Sequence, residues 1–221
     1  CAGRVVAVEK DRRFVHELQR RLIGLKNLTL LEGNILSMDL PRILAEGGKW
    51  KVVANLHYNI STEVIFLLLK SSYLFQTFHL MVQREVAERL VAGPGSKDYG
   101  LLSVFSQLFS ENRIVMRLPP GAFSQHPKVH SALVEFRIAE GCRFSIHHLP
   151  TFETMVRAAF SQRRKMIHNS LKGELKQVSD KELDEALKKA GIAPTARAET
   201  VSIEQFVEMA NFLFSLDAKE R

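Results

Sequence analysis

Cysteine is scarce in this chain, with two in 221 residues, and tryptophan occurs once. Cys1 and Cys142 make neither a disulfide framework nor a metal knuckle, and Cys1 sits at the chain's end, where an ordered bridge is not expected. That usage points to a reducing, cytoplasmic setting. Long apolar runs are also missing. The longest, Val64 to Leu69, stops at Lys70, far short of the ~20 residues a membrane-spanning helix needs. A transmembrane helix is thereby excluded, and no membrane partner is expected. No basic-plus-apolar leader opens the chain, and no repeat or low-complexity segment interrupts it. The eight histidines do not cluster as ligands, so no metal is expected.

What is present is ordinary for a globular protein: 46% hydrophobic and 25% charged residues, enough to bury a core without staples. The net charge of +7 favours polyanions such as nucleic acid. Its position is more informative than its sum. Arg157, Arg163, Arg164, Lys165, Lys172 and Lys176 stand against the single acid Glu174, whereas the tail beyond them is richer in acids.

The first half alternates strand and helix patterns. Val5–Val8 reads as a buried strand, and Phe14, Leu18 and Leu22 as the inward stripe of a helix. Leu28–Leu31, closed by Glu32-Gly33-Asn34, is a second strand. Lys51–Leu56 is a third, with a helix from about Thr62, and Phe78–Val82 a fourth, feeding the helix of Val86 and Leu90. Continuous apolar strands alternating with helices predict a doubly wound, mostly parallel α/β sheet. After the loop Gly93 to Gly100 come a helix over Leu101–Phe109 and two strands, Ile114–Leu118 and Ser131–Ile138, expected as an antiparallel edge. Beyond Pro150 the pattern is helical. Phe152, Val156, Phe160, Ile167 and Leu171 form one stripe ended by Gly173. Ser179 with Glu182 forms a capping box for a helix ended by Gly191, and Ser202 with Gln205 opens a last helix. The chain is read as residues 1–149, an α/β domain, and 150–221, a small all-helical domain.

Ligands of such sheets bind at the carboxyl ends of strands. Glu9 closes the first strand, where a carboxylate accepts both hydroxyls of a ribose or simply begins a helix. Asn34, after Gly33, meets an adenine edge or makes a turn. The sharpest feature is Asn55-Leu56-His57-Tyr58-Asn59-Ile60-Ser61. A side-chain amide beside an aromatic suits a planar base bearing an amine: the carbonyl oxygen accepts from the N–H while the ring stacks on the base. Accepting those hydrogen bonds pushes a conjugated nitrogen towards sp3 and frees its lone pair for attack on a methyl donor.

That string resembles the N-L-P-Y-N-I-S block of the small-subunit ribosomal RNA adenine N6,N6-dimethyltransferases of the KsgA type. Arg4–Arg13, Met81–Ala92, Gly93–Gly100, Pro119–Val134, Arg157–Leu171 and Gly191–Glu199 are similar to further blocks of that family in the same order. The resemblance implies a Rossmann-like methyltransferase sheet with a C-terminal helical RNA-binding domain, S-adenosylmethionine as cofactor, and two adjacent adenines of a small-subunit rRNA hairpin loop as target, in the small ribosomal subunit or its precursor. It implies Glu9, Gly33, Asn34 and Asn55 at the cofactor. Asn55 and the Leu56 carbonyl would accept from the target amine, with Tyr58 and Phe123 on the two faces of the base. A monomer is expected. Three departures stand out: His57 replaces the family's Pro and frees that residue's φ, Asn34 replaces an Asp, and Gln125-His126 replaces proline-rich sequence. The family's first strand and glycine-rich loop are expected ahead of Cys1. An alternative remains open, the same fold acting as a ribosome-assembly factor without catalysis.

For RNA, Arg157, Ser161, Arg164, Lys165, His168 and Lys172 fall at helical spacing on one face, widened by Gln162 and Arg163. With Arg84, Lys97 and Lys128 from neighbouring segments they predict a continuous phosphate-binding track.

Overall fold

Branched and aromatic residues build the strands, and a polar residue closes each of the first four. In order, β1 (Val5–Glu9) leads into α1 (Arg12–Arg21), β2 (Leu28–Glu32) and a short α2 (Leu40–Ile43). Then come β3 (Trp50–Asn55), α3 (Ser61–Lys70), β4 (Phe75–Gln83), α4 (Arg84–Val91) and α5 (Leu101–Phe109). β5 (Ser110–Leu118) and β6 (Ser131–Ile138) complete the strands. The helices α6 (Leu149–Phe160), α7 (Ile167–Glu174), α8 (Asp180–Lys189) and α9 (Ile203–Asp217) follow. This computed structural model describes residues 2–46, 48–122 and 129–217. Among them, no helix is long and apolar enough to cross a membrane.

The strands form two sheets. β1 and β2 pair in parallel with Glu9 opposite Glu32. The other four run in the order β3-β4-β6-β5, with β3 parallel to β4 and β6 antiparallel to both β4 and β5. The crossovers β1-α1-β2 and β3-α3-β4 are the parallel units the alternation predicts, and the antiparallel pair lies at the edge as expected. The sheet is not continuous, however. β1 has no described partner but β2, and β3 none but β4, so each keeps an unpaired edge. Trp50, the first residue of β3, donates its indole N–H to the Leu44 carbonyl at 3.2 Å. The Arg4 guanidinium sits 5.7 Å from the centre of its ring and pairs with Glu46 at 3.3 Å.

One face of the larger sheet carries Phe78, Leu80, Val82, Val134 and Phe136, all fully buried. The core is continuous from there into the later helices: Phe105 of α5 meets Phe152 of α6 edge-on at 6.2 Å, and Tyr99 meets Phe160, which meets Phe206 of α9. The other face differs from the expectation of strands buried on both sides, for Val53 of β3 is 81% exposed. Two helical expectations also change. Val15, not Phe14, is the buried residue of α1, as that helix packs against β1 and β2 of the small sheet. Gly173 lies within α7 rather than beyond its end. The caps are as read. Ser179 and Glu182 cap one another's backbone at the start of α8, Gly191 takes φ 64° after its end, and Ser202 and Gln205 repeat the reciprocal pair before α9.

On the open face Val53, His79, Glu135 and Arg113 are cross-strand partners in one row over all four strands. Glu135 is buried and meets Arg113, Arg137 at 3.3 Å and His79 at 3.5 Å. The Arg113 guanidinium holds its carboxyl below the ordinary range, with Arg137 and His79 adding to the effect. A carboxyl lowered in this way stabilises the fold above its unfolded value near 4.5 and loses that contribution as pH falls through the folded value. Glu135→Gln is therefore expected to lower Tm at neutral pH by leaving the guanidiniums without a countercharge. The gap to the parent chain should close on acidification below 4.5, as thermal melts over a pH series would record.

Candidate functional site

Three strands, each belonging to a parallel pair, present polar groups at their carboxyl ends. Glu9 ends β1, Gly33 and Asn34 follow β2, and Asn55 ends β3. The Gly33 amide donates to the Glu9 carbonyl at 2.9 Å, which holds the first two loops side by side. Glu9 Oε1 accepts from the Asp11 amide at 2.7 Å, leaving Oε2 for a ligand hydroxyl. Asp11 itself caps α1, and Arg13 beside it pulls its carboxyl down to about 2. Asn34 Oδ1 accepts from the Leu36 amide at 3.2 Å, so the turn uses the oxygen and its NH2 group is left to face a ring acceptor. Both residues thus combine the turn role with a group that can meet a ligand. An acid for a ribose and an amide for an adenine edge, side by side, fit a nucleoside cofactor.

The turn after β3 is held at several points. The Leu56 amide donates to the Met81 carbonyl at 3.0 Å and prolongs the β3–β4 ladder by one bond. The Ile60 amide donates to the His57 carbonyl at 3.1 Å, and the buried Ser61 hydroxyl donates to the Tyr58 carbonyl at 3.2 Å. At the other end of the residue, the Tyr58 hydroxyl and Ser131 Oγ lie 2.8 Å apart. The Tyr58 ring is half-buried, and Asn55 one turn away is exposed. An amide and an aromatic face thus stand together at the end of one strand. The Arg84 amide donates to the His130 carbonyl at 2.9 Å, which places Arg84 beside the start of β6 at this same end; its side chain pairs with Glu88 at 3.6 Å. Phe123 and Lys128 lie outside the described residues.

The predicted basic stripe does not lie on one helix. α6 stops at Phe160 and α7 begins at Ile167. The intervening loop carries Gln162, Arg163, Arg164 and Lys165 around a concavity of about 560 Å³. Among the described residues Arg164 and Lys165 make no ion pair, and both are exposed. Three members of the track are drawn elsewhere. Arg157 lies over the rings of Phe66 and Phe105, 5.6 and 5.5 Å from their centres, because α6 packs its side against α3 and α5. Lys172 pairs with Asp180 at 2.5 Å, and His168 with Asp184 at 3.3 Å, because α7 faces the acids of α8.

Arg163 has a structural partner set. Its Nε reaches Glu199 at 3.2 Å and its Nη2 donates to the carbonyl of Lys97, while the Gly95 amide donates to the Glu199 carbonyl at 2.7 Å. The loop that carries Lys97 is thereby tied to the basic loop and to the segment before α9. Glu199 and Ser131 are the residues the sequence reading passed over. Both stand in blocks already singled out, but their partners are far away in the chain. No group of three or more His, Cys, Asp or Glu placed to hold a metal occurs among the described residues.

Comparison with known proteins gives three findings. The family model for ribosomal RNA adenine dimethylase matches residues 1–215. A ribosomal RNA small subunit methyltransferase A from Geobacter metallireducens is 43% identical over 221 residues, covering 99% of this chain and 80% of that protein. One of the same name from Caldanaerobacter subterraneus is 40% identical over 96% of this chain and 80% of its own length. Among solved structures, a dimethyladenosine transferase from Plasmodium falciparum superposes with a TM-score of 0.78 at 24% identity, over 98% of this chain and 83% of that one. The 23S rRNA methyltransferase ErmE does so at 0.68 and 23% identity, over 96% and 83%. These two likenesses bear on the fold.

The clasp is open to direct measurement. Arg163→Ala is expected to speed hydrogen exchange at the Gly95 amide by roughly three- to tenfold, the value of one net hydrogen bond. Exchange in β4 and β6 should be unchanged.

Proposed function

The chain belongs to the ribosomal RNA adenine dimethylase family, and on that premise we propose that it dimethylates the exocyclic amines of two adjacent adenines in a hairpin loop of small-subunit rRNA. Methylation of rRNA adenine from S-adenosylmethionine is the family's activity and this chain's. The finer reading, with the small ribosomal subunit or its precursor as the setting, follows the names of the relatives. We also infer a cytoplasmic setting from the cysteine usage read above, and take the chain to act as a monomer.

The observation that carries the reading is the turn from Asn55 to Ser61, with an exposed amide and a half-buried aromatic face at one strand end. S-adenosylmethionine, when bound, supplies an electrophilic methyl group. Glu9 Oε2 would take its ribose hydroxyls, and Asn34, after Gly33, its adenine edge. The side-chain oxygen of Asn55 and the carbonyl of Leu56 would accept hydrogen bonds from the two N–H groups of the target amine, and from the one N–H left in the second transfer. That draws the nitrogen lone pair out of conjugation with the purine and turns it towards the methyl group. Tyr58 would stack on the base once it has left the RNA stack, as chemistry on a nucleobase requires. Phe123 is assigned the opposite face on the resemblance alone. No side chain need act as a strong base, since the methylated nitrogen becomes acidic and gives its proton to solvent.

For the RNA, the loop between α6 and α7 is the favoured contact: Arg164 and Lys165 hold no ion pair among the described residues, and Lys97 is tied beside them through Arg163. Arg84 extends the surface towards Tyr58. The helical part is accordingly proposed as the RNA-binding unit, with Arg157 and Lys172 serving packing and pairing instead.

Asn55→Ala is expected to lower kcat at least roughly a hundredfold, as when a transition-state hydrogen bond is removed, with RNA affinity nearly intact. Equal loss of RNA affinity and rate would remove Asn55 from the chemistry. Arg164→Ala with Lys165→Ala is expected to flatten the slope of log affinity against log salt by roughly 1.5, since each phosphate neutralised contributes about 0.7–0.9. It should weaken unrelated RNA nearly as much as the target. An unchanged slope in a folded variant would move the contact to another surface.

A further inference from the structure

Tyr58 is anchored at both ends, but the two anchors differ in kind. Its carbonyl is held locally, by Ser61 three residues on. Its hydroxyl is held by Ser131, 73 residues away at the start of β6. Ser131 is 1% exposed and is paired on both sides, with Gln83 of β4 and Leu118 of β5. Its main chain therefore has no freedom to follow the turn, and its hydroxyl is a fixed point. The ring itself is half-buried, and His57 before it leaves the turn without a ring constraint on φ. The contact at the phenol oxygen fixes the pose of the ring relative to Asn55 on the same turn.

We infer that Ser131 is a positioning residue for methyl transfer, holding the Tyr58 ring in the plane on which the target base must lie. This rests on the reading that Tyr58 stacks on that base. Stacking alone needs no hydroxyl, and a phenylalanine would offer the same face. A hydrogen bond from the phenol to a buried strand residue adds direction. It narrows the ring's rocking so that a base lying on it presents its amine towards Asn55, and reaction rates fall steeply when such placement is lost by a fraction of an ångström. The bond also satisfies two groups at once, since a buried serine hydroxyl left without a partner is costly.

The test uses the full-length protein, small-subunit rRNA and the variants Ser131→Ala, Tyr58→Phe and both together. Each should lower kcat by roughly three- to tenfold, the loss expected for one hydrogen bond, and all three to the same value. KM for RNA should not move, and thermal melts should show each variant folded. A Ser131→Ala variant with the parent kcat overturns the proposal, and so does a double variant whose loss is the product of the single losses. Tyr58→Ala separates this idea from the reading beneath it. Full activity in Tyr58→Ala removes the stacking role altogether, whereas an inactive Tyr58→Ala beside a fully active Ser131→Ala removes only the positioning. A second readout needs no turnover. With three tyrosines in the chain, carbon relaxation of the Tyr58 ring is resolvable. Ser131→Ala must raise its mobility, and unchanged relaxation overturns the assignment.

Discussion

The insertion of β6 between β4 and β5 is the constraint on which the rest of the molecule depends. A last strand that returns antiparallel into the sheet, rather than adding to its edge, is hydrogen-bonded on both sides. Every residue along it is thereby given a fixed height relative to β4. Ser131 comes to rest opposite Gln83, at the end where β3 releases Asn55. Phe136 meets Phe78 at 5.6 Å in the core, and Glu135 on the opposite face falls between Arg113 and His79. One strand thus serves the core, the charged face and the end of the sheet where the turn lies.

The second organising contact is aromatic. Phe105, Phe152, Phe160 and Phe206 carry the apolar interior of the sheet's helices into α6 and α9 without a polar layer between. Arg157 closes the edge of that seam by lying on Phe66 and Phe105. Its long side chain covers apolar surface while the charge rests on the rings, so it resembles a surface cation in sequence and a packing residue in space. The later helices and the sheet therefore meet through an apolar interface. The Arg163–Glu199 pair adds a polar strap at its rim.

Strand ends were legible because a strand's identity and its last residue are local properties. Glu9 and Asn55 follow apolar runs and sit where such runs stop. The caps at Ser179 and Ser202 were legible for the same reason, since both partners lie within one turn. The break between α6 and α7 was not. Phe160 and Ile167 stand seven residues apart, the distance of two helical turns, so an apolar period runs across the break as if it were absent. The partners of Arg157 and Ser131 were invisible because each is set by packing of distant elements, and that of Lys172 because it depends on how α7 meets α8. The open edges of β1 and β3 have no local signature either: a branched apolar strand looks alike with one neighbour or two.

Trp50 stands at the start of β3 beside Arg4, the residue before β1, and this gives the molecule an optical property. The chain has a single tryptophan, so its whole indole emission arises at the first residue of β3. The ring is held by the Leu44 carbonyl on one side and faced by the guanidinium of Arg4, the residue before β1, on the other. A cation over an indole perturbs its excited state, and so does a change in the water around it. Any event that moves Arg4 relative to the start of β3 is therefore written into the intensity and wavelength of one fluorophore. The approach of Arg4 to Trp50 can be followed in real time with no label attached.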